Sequence, residues 1–247
     1  RKKMSKNVIL SNGERENPSP LIYDKHKKHC IFRTKTLLSE EKKEDEKCTV
    51  SVVFIDHEGY IRNAGIIKHT VPELEEGRMP KINAIILHRT DSSTINGTLA
   101  SFSKGIGTHF IVEKDGNIYQ AASLFVYTSH VGKIKSRCKE EKTWSSEEKK
   151  KTEAFGWNAK KIHDHEKIKQ YPYRYPYNMD SVGIEVIALY DKKNKKWESA
   201  TDSQKKSIEK LVDIIKNIYE LEDRDVYEHD KISYKTEGEG ADLYSVN

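Results

Sequence analysis

Lys81-Ile-Asn-Ala-Ile-Ile-Leu-His88-Arg-Thr-Asp91 is a short, nearly continuous apolar run that ends on a histidine. Gly77 and Pro80 stand upstream of it, and Thr90, Asp91, Ser92 and Ser93 close it off. A run bounded in this way is the pattern of a strand buried on both faces. It delivers His88 to the point where the strand gives way to a polar loop, where α/β proteins usually hold ligands and metals. A lone strand-end histidine is more often structural than functional, so His88 needs partners. Two further segments offer them. Ser181-Val-Gly-Ile-Glu185-Val-Ile-Ala-Leu-Tyr190 reads as a second strand with a carboxylate embedded in it, and Asp225-Val-Tyr-Glu228 as a short strand leading to His229.

The intervening chain completes the pattern of an α/β domain. Thr108 to Glu113 and Asn117 to Gln120 flank Lys114-Asp115-Gly116, a strong hairpin signal. Thr94 to Lys104 reads as a short helix with Leu99 and Phe102 on one face. Thr201 and Gln204 form a capping box ahead of Ile208, Leu211, Val212, Ile215, Ile218 and Tyr219, which recur at helical spacing. That stripe is core. Residues 133–178 are polar, aromatic and proline-containing, and a loop of that length should be functional or carry short helices. Upstream, Thr49 to Ile55 reads as a strand, Asp56 to Gly59 as a turn and Tyr60 to Ile67 as a return strand, with Pro72 to Pro80 as a linker. Residues 1–50 are rich in Lys, Glu, Asn and Ser and read as a flexible or peripheral arm. The expected division is therefore an N-terminal extension over 1–80, arm plus hairpin, and a main domain over 81–247. The expected fold is mixed α/β: a central mixed β-sheet with helices on both faces and a groove over the strand ends.

With 247 residues, the chain has room for one large domain and an appendage. Hydrophobic content of 35% against 34% charged residues lies at the polar end for a folded protein, yet the apolar residues cluster enough to build a core. No apolar run approaches a membrane span, and no basic-then-apolar signal peptide is visible at the start. The net charge of +5 comes from basic runs such as Lys149-Lys150-Lys151, which are interleaved with acids including Glu147 and Glu148. This is a solvated lysine-rich surface with a mild bias towards anionic polymers. Tyr171-Pro-Tyr173-Arg-Tyr175-Pro-Tyr177 mixes aromatic and basic residues, but no nucleic-acid motif surrounds it, so it reads as a rigid loop and no nucleic-acid partner is expected. Cys30, Cys48 and Cys138 lack metal-knuckle spacing. Cys30 with Cys48 could bridge in an oxidising compartment, and Cys138 reads as a free thiol.

Hydrolysis at a zinc centre requires three protein donors with an open position, a carboxylate to move the proton, and a cation or donor for the oxyanion. His88, His229, Glu185 and the loop Ile232-Ser-Tyr-Lys235-Thr-Glu237-Gly-Glu239-Gly-Ala-Asp242 are candidates for those roles. On these residues the chain from about Lys81 onward resembles the zinc-dependent N-acetylmuramoyl-L-alanine amidases of type 2, which share a fold with peptidoglycan recognition proteins. The matching pieces are Ile85-Ile-Leu-His88-Arg-Thr, Gly107-Thr-His-Phe-Ile-Val with Lys114-Asp-Gly-Asn-Ile-Tyr-Gln120, Thr128-Ser-His-Val-Gly132, Asp180-Ser-Val-Gly-Ile-Glu185-Val, and His229-Asp-Lys-Ile-Ser. Each is weak alone, but five in the family's order are specific.

The resemblance implies that His88 and His229 bind one zinc ion and that Glu185 is the catalytic carboxylate. Gly183, Glu185 and Ile187 share a strand face, which favours a cleft-lining carboxylate over a strand glutamate in solvent. The third ligand departs from the pattern. Relatives close with Lys, one residue, then Asp-Pro-Gly or Cys-Pro-Gly, whereas here Lys235-Thr-Glu237-Gly238 keeps the spacing without the proline. This places the third ligand on Glu237, with Glu239 and Asp242 as alternatives because Gly238 and Gly240 make the loop adaptable. An acidic tail holding no metal is the remaining outcome. The same match puts the catalytic lysine on Lys235 and sets His130 at the substrate groove, against the stem peptide or the oxyanion. His109 reads as a satisfied core histidine, and His163-Asp-His165 as surface in a polar loop.

The implied function is hydrolysis of the amide between the lactyl group of N-acetylmuramic acid and L-alanine, by metal-activated water with Glu185 as base and then acid. The alternative is a non-catalytic peptidoglycan-binding module, the usual result of losing a metal ligand in this fold. Peptidoglycan and its muropeptides are the implied partners, joined by an immunity or delivery protein if the chain is a secretion-system effector rather than a phage lysin or an autolysin. The implied place of action is the cell wall.

Overall fold

The computed structural model describes residues 22–24, 29–31 and 52–245. The expected arm over 1–50 and a Cys30–Cys48 bridge fall outside these residues, apart from strands β1 (Ile22–Asp24) and β2 (His29–Ile31), which pair antiparallel. β3 (Phe54–Ile55) and β4 (Ile61–Arg62) extend that pair into a four-stranded antiparallel sheet. The turn between β3 and β4 is built by Asp56, whose Oδ1 accepts hydrogen bonds from the backbone N–H groups of Glu58 and Tyr60 while Oδ2 pairs with Arg62. An aspartate holding its own following backbone is a standard way to fix a tight turn.

The main sheet has six strands: β5 (Ile66–Lys68), β7 (Ala84–Arg89), β8 (Phe110–Val112), β9 (Ile118–Gln120), β11 (Ser181–Val186) and β14 (Val226–Glu228). Their order is β14-β7-β11-β8-β9-β5. β14, β7, β11 and β8 run parallel, β9 turns back on β8 as the expected hairpin, and β5 runs parallel to β9. Four further two-residue strands pair as β6 (Gly77–Arg78) with β10 (Val126–Tyr127) and β12 (Tyr190–Asp191) with β13 (Lys196–Trp197), forming two small ribbons. Because β5 belongs to the main sheet and Ile55, Ile61 and Ala64 join its core, sheet and core continue upstream of residue 81. Gln120 fastens this region: its Oε1 accepts from Ile61 N and its Nε2 donates to Gly59 O.

All six residues of β7 are buried, as its apolar composition requires of a strand between two neighbours. Side chains alternate between the faces. Ile85, Leu87, Phe110, Val112, Val182, Ile184 and Val186 pack on one face against α5 (Asp202–Tyr219), through Ile208, Leu211, Val212 and Ile215. Each of those helix residues is fully enclosed, and each such burial is worth about 1.5–3 kcal/mol. The capping box expected at the helix start is present, with Thr201 Oγ1 accepting from Gln204 N and Gln204 Oε1 accepting from Thr201 N. Gln204 Nε2 also donates to the carbonyls of Val112 and Ile187, tying the helix start to the ends of β8 and β11.

The opposite face carries Ile86 and Ile111 and is covered by α1 (Ile95–Phe102) through Phe102, and by α6 (His229–Ile232) through Ile232. Residues 133–178 supply three short helices, α2 (Arg137–Glu140), α3 (Ser146–Ala154) and α4 (Ala159–Lys167). Ser145 caps α3 and Asn158 caps α4, each accepting from a backbone N–H of the first turn. His163 and His165 lie on α4 rather than in a loop, which corrects the expectation for that stretch. Among the described residues no helix is long and apolar enough to cross a membrane.

Candidate active site

Period-two alternation puts His88 of β7 and Glu185 of β11 on the same face of the sheet, and the register sets them side by side on neighbouring strands. β14 lies on the other side of β7 and hands the chain directly into α6, whose first residue is His229. The two imidazoles meet with ring centroids 4.0 Å apart. Glu239 completes the group: its Oε1 lies 2.7 Å from His229 Nδ1 and 3.6 Å from His88 Nδ1. His88, His229 and Glu239 can each present one donor atom within 4.8 Å of the others, an arrangement able to hold a metal ion.

The far nitrogen of each imidazole is engaged. His229 Nε2 donates to Val131 O at 2.8 Å. His88 Nε2 is 3.1 Å from His130 Nδ1, His130 Nε2 is 3.2 Å from Ser181 Oγ, and Ser181 Oγ donates to Tyr177 O. Because that chain ends on a carbonyl, the protons run outward from His88. Both Nδ1 atoms therefore turn lone pairs towards Glu239. A lone pair facing a carboxylate at 2.7 Å is repulsive unless a proton or a cation lies between them. Imidazoles with one nitrogen anchored and the other free are how proteins orient metal ligands, so the residues present fit a metal ion.

The loop that brings Glu239 inward is clamped from both sides. Arg89, the last residue of β7, donates through Nη1 to the carbonyls of Gly238, Glu239 and Ala241. Asp230 of α6 accepts from Gly238 N through Oδ2 and from Gly240 N through Oδ1. Gly238 has φ +77°, and a Cβ on Gly240 would come within 2.6 Å of the Glu228 backbone, so glycine is required at both positions. This geometry corrects the expectation for the third donor. Glu237 is exposed and, with Asp242, lines a separate cleft bounded by Trp197 and Lys205, on the far side of the clamped loop. Glu239, weighed second on the sequence, faces the imidazoles.

A cleft of about 380 Å³ opens over the site and is lined by His88, His130, Glu185, His229, Lys235 and Glu239, with Thr98, Phe102 and Ile106 on its α1 side. Glu185 accepts no hydrogen bond from a described residue, and burial followed by the nearby Glu239 charge raises its pKa to about 8, with Lys235 opposing. Lys235 is an exposed residue of the cleft wall. His130 is buried and has both ring nitrogens engaged, leaving neither free for a stem peptide or an oxyanion. It supports His88 instead. His109 is fully buried and satisfied, with Nε2 donating to Val126 O and Nδ1 accepting from Gly183 N. Arg89, Asp230 and Ser181 were not singled out from the sequence. The glycines on either side of Glu239 were the one local sign that the backbone there is held close.

Burial, reinforced by the neighbouring His229, drives His88 down to about pKa 3 against the opposing pull of Glu239. Burial takes His109 to about 4 and lowers His130 strongly, His130 also feeling the other imidazoles. All three stay neutral when folded and take up protons from about pH 6.5 downward when unfolded. In metal-free protein their stabilisation is complete above that pH and is lost as pH falls towards 4 and then 3. Each group contributes about 1.4 kcal/mol per pH unit across its window. Urea midpoints are expected to drop steeply between pH 7 and pH 5. A flat profile would mean that these rings are hydrated.

A family model described as N-acetylmuramoyl-L-alanine amidase matches residues 78–241. No curated protein matches the sequence. Among solved structures, the endolysin N-acetylmuramoyl-L-alanine amidase LysCS from Clostridium intestinale is 18% identical, with 72% of this chain and 88% of that chain covered and a TM-score of 0.43. A selenomethionine derivative of AmpD is 13% identical, covering 77% of this chain and 94% of that one at a TM-score of 0.48. The amidase AmiD from E. coli, solved with anhydro-N-acetylmuramic acid-L-Ala-D-gamma-Glu-L-Lys, is 16% identical, covering 73% and 57% at a TM-score of 0.43.

Proposed function

Because the chain belongs to the type 2 N-acetylmuramoyl-L-alanine amidase family, we propose that this peptidoglycan amidase is a zinc hydrolase that cuts between the lactyl group of N-acetylmuramic acid and L-alanine of the stem peptide. The observation that carries the reading is the convergence of His88 Nδ1, His229 Nδ1 and Glu239 Oε1 beneath the cleft, with the opposite nitrogen of each imidazole anchored. Two imidazoles, one carboxylate and an open side suit zinc among the common divalent ions. When bound there, zinc supplies Lewis-acid polarisation of a carbonyl and acidifies water.

The chain's own residues divide the remaining work. Glu185, beside His88 on the adjoining strand, takes the proton of the attacking water and returns it to the departing alanine nitrogen. Few contacts restrain its carboxyl, and its raised pKa marks a group that holds a proton more readily than an ordinary glutamate. Lys235 on the cleft wall offers an ammonium to the oxyanion. His130 and Ser181 keep His88 in the tautomer whose Nδ1 faces Glu239. Arg89 and Asp230 hold the Glu239 loop in place. Such a substrate sets the place of action at the cell wall.

Digestion of purified peptidoglycan followed by mass spectrometry of the products tests the reading. The expected products are glycan strands with free lactyl carboxylates and intact stem peptides with a free alanine amine. A chelator should stop their release and zinc should restore it. Cleavage within the stem or the glycan, or undiminished release in chelator, would reject it.

A further inference from the structure

The helices of residues 133–178 bring together side chains that the amidase reaction does not use. Cys138 on α2 and the carboxylates of Glu148 on α3 and Glu166 on α4 can place donor atoms within 4.8 Å of one another. His165 Nε2, also on α4, is 2.7 Å from Glu148 Oε1. Lys169 sets its ammonium among them: Nζ is 2.5 Å from Glu148 Oε1, 2.6 Å from Glu166 Oε1 and 4.0 Å from Cys138 Sγ. A cation is thus already held at the centre of these donors.

The ammonium does not satisfy them. Glu166 is fully buried, and its Oε2 has no hydrogen-bond partner. A buried acceptor left unpaired is costly and marks a missing partner. Two carboxylates against one ammonium also leave an excess negative charge in a largely enclosed place. The surrounding helices have little else to hold them together: α3 buries only Thr152, and α4 only Ile162 and Glu166.

We propose that Cys138, Glu148 and Glu166 form a second divalent-metal site, suited to zinc, in which the ion takes the position of Lys169 Nζ, the lysine turns outward, and His165 leaves Glu148 to become the fourth donor. One thiolate, one imidazole and two carboxylates make a closed four-donor set, the composition of a structural rather than a catalytic centre. Binding releases the Cys138 thiol proton to solvent as the metal–sulfur bond forms. The cluster's charge is −1 before the exchange (two carboxylates and an ammonium) and −1 after it (two carboxylates, a thiolate and a dication). The ion cross-links α2, α3 and α4. Ile134, just ahead of α2, donates its N–H to His163 Nδ1 and bridges to Ser233 next to α6, so the cross-linked segment stands against the helix that carries His229.

Cobalt titration of the metal-stripped full chain distinguishes this site from the amidase centre, whose donors include no sulfur. Two equivalents of Co²⁺ are expected to bind, one of them with a thiolate-to-cobalt charge-transfer band. Cys138→Ser should lose that band and keep the other equivalent, which also shows that the variant is folded. Glu239→Ala, and the double variant Cys30→Ser with Cys48→Ser, should keep the band. Lys169→Met removes the competing ammonium and should tighten cobalt binding at the sulfur site on the order of tenfold. Absence of the band, its persistence in Cys138→Ser, or a Lys169→Met variant that is merely less stable with no gain in affinity would overturn the proposal.

Discussion

Glu185→Gln is expected to lower kcat/KM on peptidoglycan by about 10²–10⁴-fold, the usual contribution of a positioned acid–base group. Its metal content should not change, because Glu185 is not among the three converging donors. The same substitution should make the metal-free protein more stable at neutral pH, and the sign follows from linkage. Burial and the neighbouring Glu239 hold the folded pKa at about 8, against 4.5 as the ordinary value. The unfolded chain therefore releases this proton first, and stability is lost as pH rises from 4.5 towards 8. Glutamine removes that cost, on the order of 2 kcal/mol at pH 7 once the cleft water reaching the side chain is allowed for. Activity gained at the expense of stability is a common trade. Chemical denaturation and turnover measured on one preparation test both halves. A variant that is inactive and less stable would point to a structural glutamate instead.

Glu239→Ala should weaken zinc binding more than about 100-fold, since loss of a supporting contact alone costs 10–100-fold, and activity at limiting zinc should vanish with it. Glu237→Ala, two residues away, should change neither. The contrast rests on where the carboxylates point. Burial alone would raise the pKa of Glu239, but its close approach to His229 and His88 outweighs this and holds the group at about 2. Glu237 stands in solvent on the other side of the loop. Competition titrations with a chromophoric chelator give both affinities. Equal losses in the two variants would mean that the loop rearranges when the ion binds.

Much of this arrangement was legible in the chain because it is encoded locally. The apolar run ending in His88, the carboxylate at an even step along Val182-Gly-Ile-Glu185, the Asp115-Gly116 turn and the Thr201/Gln204 cap each announce an element within a few residues. The third donor was not encoded that way. Lys235-Thr-Glu237 and the Gly238-Glu239-Gly240 step offer two glutamates with similar local claims. The choice is made by Arg89, far away in sequence, and by Asp230, which take up the backbone on either side of Glu239. The role of His130 was hidden for the same reason, since its partners His88 and Ser181 sit on other strands. Short helices were one expectation for residues 133–178, but the positions of α3 and α4 could not be read because their sequences bury almost nothing, leaving no apolar stripe.

The place of β14 has a consequence for how the protein is made. It lies on the outer side of β7, a wholly buried strand, although it follows that strand by well over a hundred residues. A nascent chain emerging from the ribosome can pair β7 with β11 long before β14 is available. Until then the backbone of Ala84–Arg89 is an open edge, the kind of surface that recruits strands from other chains. The stretch that seals this edge runs straight into His229 and the Glu239 turn, so protection from aggregation and assembly of the site depend on the same segment.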